Sequence, residues 1–186
     1  MSLELIIPPA EEPVSLDEAK AHLRVTHGEE DGLIAVYLMA ARRAIETRAG
    51  LAVLAQTWRL ALDRPPGAPF ALPRGPVSAV AAVEIAMRDG SASPVSPDLY
   101  DVETGLGARL APRGPWPHTD RLIGGVRIEF AAGWPDADAV PEEIKHAIRL
   151  LAAHFYEHRE AVATERVAAL PQAVEALVAP YRGARL

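Results

Sequence analysis

The chain has 186 residues, a formal net charge of −6 and no cysteine. A chain of this length buries a core without a disulfide or metal staple, and the missing cysteines exclude thiolate zinc sites and cysteine nucleophiles. Its 49% hydrophobic and 24% charged residues exclude a disordered chain, and its acidity argues against a nucleic-acid-binding face as the main activity.

The first 13 residues lack the basic region that opens a signal peptide, and no apolar run approaches the ~20 residues of a membrane span. The chain therefore reads as cytoplasmic and without a membrane partner. Ser15-Leu16-Asp17-Glu18 is a capping box, with a short helix following to about Val25. Gly28 breaks it. A second helix is predicted from about Glu30 to Arg48, with Ile34, Tyr37, Leu38, Ala41 and Ile45 as its buried face. Arg42, Arg43 and Glu46 fall off that face, so the two arginines read as a solvated surface or an inter-subunit contact. Gly50 supplies the stop.

The period then changes. Trp58, Leu60 and Leu62 alternate with Arg59, Ala61 and Asp63, the pattern of a half-buried strand. Arg64 to Pro76 carries five prolines and reads as an extended connector. Val80 to Met87 is a strand, Asp89-Gly90 a hairpin-type turn, and Leu99 to Glu103 a returning strand. A second proline-rich loop, Pro112 to Pro117, surrounds Trp116. Val126, Ile128 and Phe130 mark the clearest strand, which Gly133-Trp134-Pro135 ends.

Pro141 is placed at the first position of a long helix whose stripe is Ile144, Ile148, Leu151, Phe155 and Val162. Pro171 opens a last short helix and Pro180 closes it. The reading is an α+β fold in one domain over residues 1–186, with helical parts at 14–50 and 141–180 and a β-rich insertion at 55–134. The helices form one core. The inserted sheet is small and mainly antiparallel, and the two proline-rich loops project from it.

The chemistry-bearing patterns are few. His154-Phe155-Tyr156-Glu157-His158 is H-x-x-E-H, in which two imidazoles four apart could hold zinc and the glutamate act as base. The helical wheel puts His158 at the edge of the apolar stripe, His154 further round and Glu157 well away from it. Only Glu160, Glu165 and Glu175 follow as third ligands, so the pattern reads as ordinary helix-face histidines and a small zinc hydrolase is the alternative function. There is no phosphate loop and no nucleophile elbow at Ser78 or Ser91, and Gly105-Leu106-Gly107 and Gly124-Gly125 are isolated turns. No catalytic, cofactor-binding or metal residue is assigned.

Several stretches taken together resemble one family. They are Pro13 to Val25, Ala40 to Glu46 followed by Gln56-Thr57-Trp58, Leu72 to Val77, Phe130 to Trp134, Val140 to Lys145, and Ala153 to Glu160 followed by Pro180-Tyr181-Arg182. In this order and spacing they resemble the gp6-like and gp8-like head–tail connector (adaptor) proteins of tailed phages, prophages and gene transfer agents. The resemblance implies a structural virion protein without cofactor, made in the bacterial host cytoplasm and placed at the head–tail interface. It implies a homo-oligomeric ring, with twelve subunits when assembled. The implied partners are the portal protein and a tail-side connector or tail terminator, with DNA passing through the channel without sequence-specific binding. Candidate portal or subunit contacts are Tyr181, Arg182 and Arg185 in the C-terminal segment, Trp116 in its loop, and Arg42 with Arg43.

Overall fold

Ser15 opens the first helix with the predicted capping box. The Glu18 N–H donates to Ser15 Oγ at 3.2 Å, and the Ser15 N–H donates back to Glu18 Oε2 at 2.8 Å. That backbone donor, and the Ser15 hydroxyl after it, hold the Glu18 carboxyl below its ordinary range. The helix, α1 (Leu16–Leu23), ends at Arg24, whose φ of 59° is left-handed. α2 (Asp31–Ala49) ends where expected, on left-handed Gly50 at φ 71°. The computed structural model describes residues 1–158 and 171–182, and Val162 of the expected stripe lies outside them.

The chain divides into two compact units. Among the described residues the helical unit comprises those of Glu11–Leu54 and Trp134–Arg182. Besides α1 and α2 it holds α3 (Glu142–Glu157) and α4 (Gln172–Val178), followed by a 3-10 turn at Ala179–Tyr181. Pro141 and Pro171 sit one position earlier than expected, as the residues just before α3 and α4. Ile34, Leu38, Ile45, Ile148 and Leu151 are buried together, with Val174 and Val178 of α4 on the same core. Phe155 is half-buried at the rim, where its ring lies 6.4 Å from that of Tyr37.

The β unit comprises Met1–Ala10 and Ala55–Gly133 among the described residues. Its larger sheet is fully antiparallel, in the order β1-β2-β8-β4-β5. These strands are β1 (Ser2–Ile7), β2 (Gln56–Leu62), β4 (Val77–Ala86), β5 (Ala92–Pro94) and β8 (Val126–Ala132). Trp58, Leu60 and Leu62 stand opposite Phe130, Ile128 and Val126, so the alternation read in β2 and β8 fills one face, buried at each of these positions except half-buried Leu62. On the other face Arg59 lies between Glu4 and Glu129, and Arg127 faces Glu84. Arg59 reaches Glu129 at 3.1 Å.

A smaller sheet has the order β3-β7-β6, from β3 (Phe70–Ala71), β6 (Tyr100–Glu103) and β7 (Arg109–Pro112). The stretch Arg64–Pro76 is thus not wholly a connector, since β3 lies within it and Leu72 is buried after it. β1, β5 and β7 have no counterpart in the sequence reading. No described helix is long and apolar enough to cross a membrane.

Leu151 is 1% exposed at the centre of the helical core. Leu151→Ala is expected to lower unfolding free energy by about 2–5 kcal/mol, and Phe155→Ala by less because its site is half open. Chemical denaturation of both variants checks the order.

Candidate functional site

The candidate residues fall on two surfaces of the helical unit and one loop of the β unit. Along α2, Arg42 and Glu46 are one turn apart and only 4% and 5% exposed. Arg42 Nε donates to Glu12 Oε2 at 2.7 Å and Nη2 to Glu12 Oε1 at 2.9 Å. Its Nη1 donates to Glu46 Oε2 at 3.0 Å, and Glu46 Oε1 accepts from the Val53 N–H at 2.9 Å. One guanidinium therefore ties the segment before α1, the middle of α2 and the segment after it. Burial alone would pull the Arg42 pKa down, but the bonds and charges of Glu12 and Glu46 outweigh it and hold it above the ordinary value.

This corrects the reading of Arg42 and Glu46 as lying off the buried face. They are off the apolar stripe of α2, but the chain around Glu12 and Val53 covers that side, and the charges pair with one another beneath it. Arg43, the next residue, is exposed.

The C-terminal segment is fastened by charge. Arg48 Nε donates to Glu175 Oε1 at 2.6 Å, and Arg182 pairs with the other oxygen of the same carboxylate. The Arg48 bond, with Arg182 beside it, holds the Glu175 carboxyl below its ordinary range. Tyr181 Oη donates to Glu143 Oε2 at 3.0 Å, and its ring meets that of Trp134 edge-on at 6.2 Å. Burial first, and the Glu143 contact after it, push the Tyr181 phenol up. Tyr181 and Arg182 are half-buried against their own helices, while Arg185 lies outside the described residues.

Trp116 is also turned inward. Its Nε1 donates to the Leu99 carbonyl at 3.0 Å, and its ring packs 5.9 Å from Tyr100. The loop that was expected to project with Trp116 as a contact is instead anchored by it, leaving Arg113, Pro115 and Pro117 outside.

His154 and His158 stand at the exposed end of α3 with ring centroids 4.5 Å apart. His158 Nδ1 lies 3.0 Å from the His154 carbonyl. Glu157 is exposed, and Glu175 is engaged by two arginines. Glu160 and Glu165 lie outside the described residues. Among the described residues no three His, Asp or Glu side chains are grouped to hold a metal ion.

At these positions the structure shows charge and hydrogen-bond clamps that fasten segments of the chain to one another. A model of the family "Phage gp6-like head-tail connector protein" matches residues 13–94, which run from before α1 through β5. A chain in the neck of an empty GTA particle, computed with C6 symmetry, is 30% identical with a TM-score of 0.83, covering 100% of this chain and 97% of that one. A chain of the virion of a native gene transfer agent (GTA) particle is 29% identical at 0.81, with the same coverage. A chain in the neck of a native GTA particle, computed with C12 symmetry, is 29% identical at 0.79, again covering 100% and 97%. No curated protein matches. The chain belongs to the head–tail connector family, and its role is that of a structural connector, not of an enzyme.

The sequence reading missed Glu12, Glu46, Glu143 and Glu175 as the partners of these side chains. Only Glu46, four residues from Arg42, carried a local signal. Two outcomes are expected. Arg42→Ala leaves Glu46 buried without its cation and costs about 3–5 kcal/mol, part of which Glu46→Gln restores in the double variant; denaturation of the four-member cycle measures it. Because the folded pKa of Glu175 is depressed, its contribution is present above the ordinary carboxylate range and is lost as pH falls through the folded value. The methyl resonances of Val174 and Val178 should therefore shift on acidification, and Glu175→Gln should remove that acid-dependent step.

Proposed function

We propose that the chain forms a ring in the neck of a phage-like particle and joins the portal vertex to the tail. The observation that carries this is the full-length likeness, at 30% identity, to a chain in a GTA particle neck. The C6 and C12 symmetries of the matched necks support an oligomeric ring and agree with twelve copies. A ring of identical subunits needs two unlike surfaces that meet head to tail. In this reading both units, residues 1–186, act as one connector module in the virion, after a period in the host cytoplasm. DNA crosses the channel without sequence-specific contact, and a net charge of −6 suits passage because the chain on balance does not attract phosphate.

The portal is the partner assigned to the C-terminal segment. Tyr181, Arg182 and Arg185 offer one rigid aromatic surface and two guanidinium groups, chemistry that commonly carries interface energy. Arg43 is the second candidate, for a subunit contact, because it is exposed beside the buried Arg42. Arg42 and Trp116 keep internal roles. A tail-side connector or tail terminator completes the set of partners.

Removing residues 180–186 deletes the Tyr181 and Arg182 clamps but leaves Val174 and Val178 in the core. The truncated protein is expected to stay folded and soluble and to lose co-purification with the portal. The full chain is expected to shift from its free mass to a ring mass when portal is added. A truncated chain that binds portal as well as the full chain does would refute the assignment of this segment, and a full chain whose mass never changes would refute the ring.

A further inference from the structure

The C-terminal segment is held at more points than its burial requires. Val174 and Val178 are fully buried and already attach the inner face of α4 to the helical core. Three further fastenings come from other parts of the unit. Arg48, in the last turn of α2, donates its Nε to Glu175 Oε1 at 2.6 Å, while Arg182 takes the other oxygen of that carboxylate. Glu143, in the first turn of α3, accepts from Tyr181 Oη at 3.0 Å. Trp134, before α3, meets the Tyr181 ring edge-on.

These fastenings lie near the surface. The Arg48 side chain is 57% exposed, and Glu143 is exposed. Ion pairs so placed add little to global stability. What they fix is orientation. A helix of seven residues does not hold its own conformation. A small rotation of α4 on its Val174 and Val178 contacts would carry Tyr181 and Arg182 out of place. The likeness to chains in assembled GTA particles covers 100% of this chain, residues 171–182 included. That favours a clamp that persists on assembly over a latch that opens.

We propose that Arg48, Glu175 and Glu143 are positioning residues for portal binding, which hold the C-terminal segment in the orientation in which it docks. This rests on the portal reading above and adds to it, because none of the three belongs to the contact residues assigned there. With the clamps closed, the docking orientation is the populated one and little conformational freedom is lost on binding. With a clamp open, only a fraction of the molecules holds that orientation, and the apparent affinity falls by that fraction.

Titration of the full chain against purified portal tests this. Arg48→Ala and Glu143→Ala are each expected to keep a melting temperature close to that of the wild type and to bind portal at least tenfold more weakly. Glu143→Gln keeps an acceptor for the Tyr181 hydroxyl and is expected to bind as the wild type does. Arg48 acts through Glu175, so Arg48→Ala/Glu175→Gln is expected to bind no more weakly than Glu175→Gln alone. Losses that add in the double variant would mean that Arg48 meets the portal itself and would overturn the positioning role. Tighter binding by either alanine variant would also overturn it, because the contacts would then be a latch. Clamp variants that bind as the wild type does, beside a 180–186 truncation that does not, would overturn this inference and leave the portal reading standing. A truncation that binds as well as the full chain removes the portal reading itself, and this inference with it.

Discussion

The Arg42 guanidinium is the constraint on which the helical unit depends. A cation this far from water is tolerated only when its donors are used, and Glu12 and Glu46 take them in a bidentate and a single bond. Glu46 in turn receives the Val53 N–H, so the chain after α2 is placed by the same pair. The apolar stripe of α2 brings the helices together, but it does not specify where residues 11–14 and 51–54 run. The charge cluster does, because any other path leaves a buried carboxylate or guanidinium unpaired. A hydrophobic replacement would supply burial without that directional demand.

How much of this was legible in the sequence follows from the range of each interaction. The capping box at Ser15, the Gly50 stop and the strict alternation of β2 and β8 are local patterns, and the structure keeps them all. β1 was not legible, because Leu5-Ile6-Ile7 is an unbroken apolar run that ends at Pro8-Pro9 and shows no period. β5 and β7 are short and bracketed by prolines or glycines, so they look like loops. Among the candidate site residues, Arg42 and Trp116 were misplaced for one reason. A helical wheel and a proline count describe an element alone, and neither registers a segment that comes from elsewhere to cover it. Tyr181 finds Glu143 38 residues away, a pairing with no trace in local spacing.

The two units use charge in different ways. In the helical unit it is concentrated in clamps that fasten segments: Arg42 on the chain before α1, and Arg48 with Arg182 on α4. In the β unit it is spread as a cross-strand ladder, Glu4, Arg59 and Glu129 on one row and Arg127 beside Glu84 on the next. Such a ladder keeps the outer face of the sheet wet and fixes strand register without making that face adhesive. The apolar residues left outside in this unit are therefore confined to the edge and the loop tips.

Pro94 has a consequence for a chain stored at high concentration. A sheet with two open edges is a building block for fibres, since each copy added leaves a fresh edge for the next. Here Pro94 leaves the outward-facing position of β5 without an N–H, so a strand of another copy that approached β5 would find one donor fewer. The proline thus weakens cross-β growth at the β5 end of the sheet.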